Sequence, residues 1–222
     1  MPVRRIPQSR TRVTGIVATD GQVEAAYESA LERDYYTIVE FCPALRLADV
    51  QPERIRWRDE EGRWHNYVPD AKVFDIQQRT ADPWDLVRQT QLVEVKPLAV
   101  LRRDWARLRP KFKAATRYAR RRGWVFKLVD ERHIRTDYLW NARFLLRYRT
   151  LAACYNPYST LIRELLADDT TWTVEELVLA VRRDPENRAV ALSTLWYMVA
   201  TFQVETNLHV RLSMKNEIWL PS

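Results

Sequence analysis

The sequence predicts a mixed α/β domain followed by a small, mainly helical module. Apolar residues at three-to-four spacing predict helices, and short alternating or apolar runs between them predict strands. The order helix, three strands, helix and strand in the first 150 residues indicates an α/β core with a mixed sheet. After residue 156 the pattern changes to three helices and a terminal hairpin, which is typical of a winged-helix module.

Composition limits the classes of function. The chain has 222 residues, of which 46% are hydrophobic and 11% aromatic, so it can bury a sizeable core. Its two cysteines, Cys42 and Cys154, are too few for a disulfide framework and suit a reducing cytoplasm. Three scattered histidines give no zinc spacing, and four glycines cannot build a nucleotide-binding loop. The longest apolar region, residues 192–202, is too short to span a membrane, so we expect no membrane partner.

Two nearby sequence motifs predict two neighbouring strands at the centre of the fold. The motif Tyr67-Val68-Pro69-Asp70 comes directly before a β-like run at 71–76. The segment 91–96 then alternates polar and apolar residues, the period of a half-buried strand. Side chains two apart on a strand share a face, so Glu94 and Lys96 project together.

These residue types suit a divalent metal site. Asp70 and Glu94 supply carboxylates, Val95 turns into the core and offers a backbone carbonyl, and Lys96 stands beside them. Mg²⁺ takes oxygen ligands, acidifies a bound water and neutralises charge on a phosphate. Lys96 would orient that water or stabilise the developing negative charge. The alternative is that a Glu-x-Lys strand is only a solvated face.

Upstream, a helix is predicted from Glu24 to about Phe41, ending before Pro43. Glu32 on this helix would point its carboxylate toward the strand site, and the alternative is an ordinary surface glutamate. Residues 1–20 are predicted to be a basic arm, which either touches DNA or has no role of its own.

Between this helix and the strand site we expect a loop to Gln51-Pro52 and then a hairpin. Its strands lie at 54–57 and 64–68, and 59–62 forms the turn. Residues 77–88 are expected to be an inserted loop or a short helix.

Positive charge is concentrated in residues 102–122. This segment carries ten Lys or Arg against one Asp, while Lys and Arg exceed Asp and Glu by 7 over the whole chain (36 − 29). We expect a helix with Pro110 in its first turn and Gly123 at its end. Phosphate contact is favoured over a merely solvated face. The predicted DNA-binding residues are Arg102, Arg103, Lys111, Lys113, Arg117, Arg120 and Arg121.

The tail contains one recognisable capping box. Thr173-Val174-Glu175-Glu176 predicts a helix start, and Asp184-Pro185 separates it from the next helix. The hairpin strands are predicted at 208–212 and 217–220. The surface of this module is not strongly basic, so protein contact and DNA contact are both open.

The assembled motifs resemble TnsA, the endonuclease subunit of a heteromeric cut-and-paste transposase, over about residues 24–150. The matching motifs are Glu28-Ser29-Ala30-Leu31-Glu32-Arg33-Asp34-Tyr35, Gln51-Pro52, Tyr67-Val68-Pro69-Asp70, Val93-Glu94-Val95-Lys96-Pro97, Ile134-Arg135-Thr136 and Asn141-Ala142-Arg143-Phe144-Leu145-Leu146-Arg147-Tyr148-Arg149. The resemblance implies a restriction-endonuclease-like PD-(D/E)xK core. It makes Glu32, Asp70, Glu94 and Lys96 catalytic and assigns the metal to Glu32, Asp70, Glu94 and Val95. The implied metal is Mg²⁺, with Mn²⁺ able to substitute.

The resemblance also implies partners and a division into domains. The partners are transposon-end DNA, the integrase-like transposase TnsB and the AAA+ regulator TnsC. The expected location is the bacterial cytoplasm, on the nucleoid. The expected segments are the arm (1–20), a catalytic domain (21–155) and a winged-helix-like partner-binding domain (156–222). The implied activity is hydrolysis of one strand, on the 5′ side, at transposon ends. The alternatives are a free-standing restriction or repair nuclease, or an inactive nuclease fold that serves as a DNA-bound scaffold.

Overall fold

The structure, a computed structural model, describes residues 15–19, 23–27, 29–78, 86–149, 157–167, 171–181 and 185–221. The chain divides into two compact units, with the division between Arg135 and Thr136. The first unit contains β1 (Gly15–Thr19), β2 (Val23–Tyr27), α1 (Ala30–Phe41), β3 (Leu45–Val50), β4 (Ile55–Arg58), β5 (Trp64–Tyr67), β6 (Ala71–Gln78), β7 (Leu86–Val95), α2 (Leu98–Arg103), α3 (Trp105–Arg120), β8 (Val125–Val129) and α4 (Glu131–Ile134). The second contains α5 (Asp137–Arg149), α6 (Pro157–Leu166), β9 (Trp172–Thr173), α7 (Val174–Val181), α8 (Pro185–Ala200), β10 (Glu205–Thr206) and β11 (Glu217–Trp219).

A four-stranded mixed sheet is the centre of the first unit, which confirms the predicted α/β class. Its strand order is β3-β6-β7-β8. β6 runs antiparallel to both β3 and β7, whereas β8 runs parallel to β7. β7 is buried along Gln91–Val95, where it lies between two neighbours. The parallel pair needs a crossover, and α2 and α3 supply it.

The N-terminal part differs from the prediction. The predicted helix is expected from Glu24, but residues 24–27 belong to β2, which pairs antiparallel with β1. The predicted arm of residues 1–20 therefore contains a strand at 15–19. In the sequence, Asp20-Gly21 lies between the two paired runs, and an Asp-Gly pair is a hairpin signal. The helix propensity of Ala25 and Ala26 favoured the wrong prediction. The helix itself begins at Ala30 and ends at Phe41, as Pro43 predicted.

The segment before Gln51 and the segment after Ile76 also contain more strand than predicted. The expected loop up to Gln51 holds β3, an edge strand whose partly exposed residues hide its period. The expected insertion at 77–88 is wrong at both of its ends, and its middle part, residues 79–85, lies outside the described residues. β6 continues to Gln78 and β7 starts at Leu86, and the two pair with each other there. Backbone pairing with a long neighbour thus extends polar runs that propensity alone does not favour.

The predicted hairpin is present as β4 and β5, but they form a separate two-stranded ribbon outside the four-stranded sheet. A cluster of buried residues joins this ribbon to β7 and α3: Ile55, Tyr67, Leu92, Ala115 and Ala119. The basic helix has an apolar face, on which Phe112, Ala115 and Ala119 are buried. α3 begins at Trp105, however, so Pro110 lies inside the helix instead of in its first turn.

In the second unit, α5 packs against α8. The rings of Phe144 and Trp196 lie 5.3 Å apart, and Arg149 donates to the carbonyl of Ala200 at 2.8 Å. The chain therefore divides before α5, earlier than the predicted boundary after residue 155. The roles assigned to the predicted domains stay predictions, as does the winged-helix assignment. The predicted capping box is confirmed, because the side chains and backbone N–H groups of Thr173 and Glu176 bond reciprocally at the start of α7.

The predicted terminal hairpin is wrong in its first strand. β11 pairs with β10 and with β9, and residues 208–212 are in neither strand. The buried side chain of Asn141 makes hydrogen bonds to the backbone of residues 208–212 instead. Its Nδ2 donates to the carbonyls of Leu208 and Val210, and its Oδ1 accepts from the Leu212 N–H. None of the described helices is long and apolar enough to cross a membrane.

Candidate active site

The first carboxylate comes from the start of α1. Ser29 is the N-cap, and its Oγ accepts from the Glu32 N–H at 3.2 Å. The same hydroxyl donates to Glu32 Oε1 at 2.9 Å. This is a capping arrangement, in which an acid in the first turn also complements the helix dipole. Glu32 is buried, so the cap fixes one side of a carboxylate that faces the protein interior.

Both the backbone carbonyl and the side chain of Asp70 accept hydrogen bonds. Its carbonyl accepts from the Tyr36 hydroxyl at 3.1 Å and from the Gln51 N–H at 2.9 Å. Its Oδ2 accepts from the Val95 N–H at 2.7 Å. Gln51 reaches this position with a φ of 49°, in the left-handed region that side chains other than glycine seldom adopt. The site thus joins α1, the end of β3 and the end of β7.

Glu94 is only 2% exposed and accepts three hydrogen bonds or ion pairs. The Tyr67 hydroxyl donates to Oε2 at 2.7 Å. Oε1 receives the ammonium groups of Lys111 at 3.0 Å and Lys96 at 3.3 Å. Both lysine side chains keep part of their surface in contact with solvent, at 21% and 28% exposure. Burying a carboxylate is costly unless it is paired and hydrogen-bonded, and the two ammonium groups with the Tyr67 hydroxyl supply these partners.

The four predicted catalytic residues are close enough to perturb one another. Burial raises the pKa of Asp70 well above its usual range, and the charges of Glu94 and Glu32 raise it further. Lys96 and the Val95 N–H offset only part of this effect. Burial lowers the pKa of Lys96, but the charges of Glu94, Asp70 and Glu32 outweigh it, so the pKa is raised overall. Burial and Glu94 also raise the pKa of the Tyr67 hydroxyl.

The donor chemistry fits a hard divalent cation. Glu32, Asp70 and Glu94 carry carboxylates, and the charges of Glu94 and Glu32 repel that of Asp70. Carboxylate oxygens are ligands of the kind that Mg²⁺ accepts. A cation there would relieve the repulsion that raises the pKa of Asp70. Within the described ranges, no three Asp, Glu, His or Cys side chains stand close enough to enclose a metal ion. The assignment of the metal to these residues and to the Val95 carbonyl therefore stays a prediction.

The predicted DNA-binding residues divide into two groups. Six of them have exposed side chains on or just after α2 and α3: Arg102, Arg103, Lys113, Arg117, Arg120 and Arg121. Arg103 is paired with Asp104 at 3.0 Å. Lys111 is different, since its ammonium is directed at Glu94 and lies 4.5 Å from the centre of the Tyr67 ring. Lys111 therefore lies in the candidate active site.

Sequence reasoning missed three polar groups of the site, Ser29, Tyr67 and Lys111. A signal existed for each. Ser29 and Glu32 form the Ser-x-x-Glu pattern of a capping box. Tyr67 opens the motif that ends in Asp70. Lys111 lies four residues before the buried Ala115 and hence on the buried side of its helix.

Comparison with known proteins supports a nuclease. Residues 44–131 match the family model described as TnsA-like endonuclease N terminal. This segment supports a TnsA-like nuclease. Asp70, Glu94, Lys96 and Lys111 lie inside the TnsA-like segment, and Glu32 lies before it. A search of curated proteins gave no match.

Proposed function

We propose that this chain is the metal-dependent endonuclease subunit of a Tn7-like DNA transposase. The observation that carries the proposal is the convergence of Asp70, Glu94 and Lys96 inside the segment that matches TnsA-like endonucleases. The reaction is hydrolysis of one phosphodiester bond, on the 5′ side, at each transposon end. The substrate would place the protein on DNA, in the bacterial cytoplasm.

The proposed roles follow from the environment of each side chain. Asp70, Glu94 and Glu32, with the carbonyl of Val95, would hold Mg²⁺, and Mn²⁺ would substitute. When bound, the metal supplies charge neutralisation at the scissile phosphate and a more acidic water. Lys96, charged and partly exposed, orients the attacking water and stabilises negative charge on the phosphate. The Val95 N–H fixes Asp70 at the same edge of the sheet.

The exposed cations of α2 and α3 would hold the DNA. Arg102, Lys113, Arg117, Arg120 and Arg121 are all exposed, and none of them has an acidic partner among the ion pairs between described residues. Such side chains neutralise backbone phosphates and give binding that weakens with salt. This contact would fix the register of the duplex without selecting its sequence.

The second unit is proposed to dock a protein partner. Of the eight large apolar side chains that are exposed in the described part of the chain, six belong to this unit. They are Trp140, Leu179, Val190, Val210, Met214 and Trp219. Exposed apolar groups of this kind favour a protein over a phosphate backbone. The proposed partner is the AAA+ regulator TnsC, while TnsB would cut the other strand at each end.

The test is strand cleavage in a mixture of this chain, an integrase-like transposase, an AAA+ regulator, transposon-end DNA and Mg²⁺. Asp70→Ala, Glu94→Ala and Lys96→Ala should each abolish cleavage of the 5′ strand while the other strand is still cut. Glu61→Ala and Lys127→Ala, at exposed positions elsewhere in the first unit, are the matched controls. Efficient cleavage of plain DNA by the chain alone would instead favour a free-standing nuclease. DNA binding without any cleavage in the full mixture would favour a scaffold.

A further inference from the structure

The β4–β5 ribbon has two chemically different faces. Directly opposed residues share a face, and the register pairs Ile55 with Tyr67 and Trp57 with His65. Ile55 and Tyr67 are buried in the cluster with β7 and α3, and the rings of Trp57 and His65 stack 4.7 Å apart. This inward face attaches the ribbon to the nuclease unit.

The outward face carries the remaining two pairs, Arg56 with Asn66 and Arg58 with Trp64. All four side chains are exposed, and Trp64 keeps 58% of its surface in solvent. The guanidinium carbons of Arg56 and Arg58 lie 4.8 and 5.2 Å from the centre of the Trp64 ring. The ring therefore contacts two cations and helps to orient them on the outward face of the ribbon.

The charge of this face points to a polyanion. It contains two arginines, one asparagine and no acid. Two of the three acids of the turn, Asp59 and Glu61, are bonded to Arg63 at 2.9 Å, and Asp59 also contacts His65 at 2.7 Å. The third, Glu60, is exposed in the turn beyond the paired residues. Guanidinium groups match phosphate oxygens and guanine edges, and an asparagine amide matches an adenine edge. A two-stranded ribbon also fits the major groove, which is about 12 Å wide.

The ribbon leads directly into the candidate active site. Tyr67, the last residue of β5, donates its hydroxyl to Glu94, and Asp70 follows three residues later. A duplex presented to the carboxylates would therefore pass close to the end of this ribbon. The inward face of the ribbon packs on the basic helix, and the residues of its outward face are distinct from the helix cations that are proposed above to bind phosphates.

We propose that the outward face of the β4–β5 ribbon is a second DNA-contacting surface, in which Arg56 and Arg58 bind the duplex beside the cleavage position and Trp64 positions their guanidinium groups. The proposal rests on the function proposed above only in the choice of DNA as substrate. It adds a contact that the basic helix cannot make, and Asn66 gives it a group able to distinguish bases.

The test measures equilibrium binding of the full chain to a labelled duplex of random sequence, over a range of salt concentrations and with EDTA present so that no cleavage occurs. Arg56→Ala together with Arg58→Ala should make the log–log salt slope less steep by about two. Trp64→Ala should weaken binding by about fivefold without changing the slope, because the charge is intact, and Trp64→Phe should fall between. Circular dichroism and thermal unfolding show whether the variants remain folded.

The second unit offers a matched control. Arg211 lies over the ring of Trp140 at 4.5 Å, and Trp140 is 55% exposed, so the same pair of residue types occurs away from the ribbon. Arg211→Ala should leave DNA binding unchanged. Equal losses in the ribbon variants and this control would overturn the proposal, as would wild-type binding in the folded ribbon variants. Ribbon variants that bind DNA normally but lose cleavage only in the presence of partner proteins would assign this face to a protein instead. Failure of the nuclease proposal has a separate readout, since it would appear as wild-type chain that binds DNA without cleaving it.

Discussion

The Lys111 ammonium lies 3.0 Å from Glu94 Oε1, although 17 residues separate them in the chain. Lys96 lies 3.3 Å from the same oxygen. One buried carboxylate therefore has two lysines, one directly after its own strand and one from α3. Because Lys96 alone would balance the charge of Glu94, the second lysine would leave Lys96 freer for the role proposed for it at the phosphate.

Lys111→Met should lower the cleavage rate at least tenfold, because Lys96 would then be held more tightly by Glu94. We expect the free energy of unfolding to fall by about 1–3 kcal/mol, since a charged hydrogen bond to a buried group is lost. Single-turnover cleavage and urea unfolding measure the two effects. Lys113→Met, at an exposed position two residues away, is the control and should weaken DNA binding only. A Lys111→Met protein with normal cleavage and a reduced salt slope would show that Lys111 contacts DNA and not the active site.

The strand that contains Glu94 and leads into Lys96 could be predicted from the sequence, because alternation along one strand is a local property. The basic helix was predictable for the same reason, since Phe112, Ala115 and Ala119 repeat at helical spacing. The pairing of Lys111 with Glu94 was not predictable, because it depends on how α3 packs against β7. A lysine in a basic run suggests a DNA contact, whereas the structure directs the Lys111 ammonium to Glu94.

The strands missed by the sequence interpretation have a common cause. β2 contains Glu24 and two alanines, and β3 contains Arg46 and Asp49, so neither has a clean alternation. Pairing with β1 and with β6, respectively, decides their conformation. The segment 208–212 shows the reverse case. Its residues favour a strand, but hydrogen bonds from Asn141 satisfy its backbone without one.

Asp70→Asn should abolish cleavage and yet leave the protein equally or more stable, by up to about 1 kcal/mol. The aspartate is repelled by Glu94 and Glu32, and an amide oxygen can still accept from the Val95 N–H. Added Mg²⁺ should raise the thermal unfolding temperature of the wild type, because a ligand of the folded state stabilises it by mass action. The rise should be smaller in Asp70→Asn. Equal stabilisation of both proteins by Mg²⁺ would place the metal away from Asp70.

Asp130 should make stability depend on pH in the acid range. It caps α4 by accepting from the Arg132 N–H, and it also binds the Arg132 guanidinium at 2.7 Å. These bonds from Arg132 lower the pKa of Asp130 to about 2. A lowered pKa means that the stabilising effect is complete above the unfolded value of about 4 and disappears as the pH falls toward about 2.

Asp130→Asn isolates this charge effect, because asparagine still caps a helix. The wild type should be more stable than Asp130→Asn near neutral pH, and the difference should vanish between about pH 4 and pH 2. Asp130→Ala should cost about 1 kcal/mol more, because the cap itself is lost. Urea unfolding at several pH values measures all three proteins. A difference between wild type and Asp130→Asn that stays constant with pH would mean that the carboxylate charge contributes nothing.

The regulator should bind the part of the second unit where α5 meets residues 209–211. Trp140 and Val210 are 55% and 53% exposed there, and the rings of Tyr138 and His209 lie 5.6 Å apart. Asn141 holds the backbone of this segment from below, so the apolar side chains are presented on a fixed support. A fixed apolar surface binds with little loss of conformational entropy.

Val210→Glu and Trp140→Ala should therefore reduce pull-down of the AAA+ regulator and cleavage in the full mixture. Leu179→Glu, at a similarly exposed apolar position on α7, should leave both unchanged. If Leu179→Glu disrupts binding and the other two do not, the regulator binds α7 and this surface has been assigned to the wrong side of the unit.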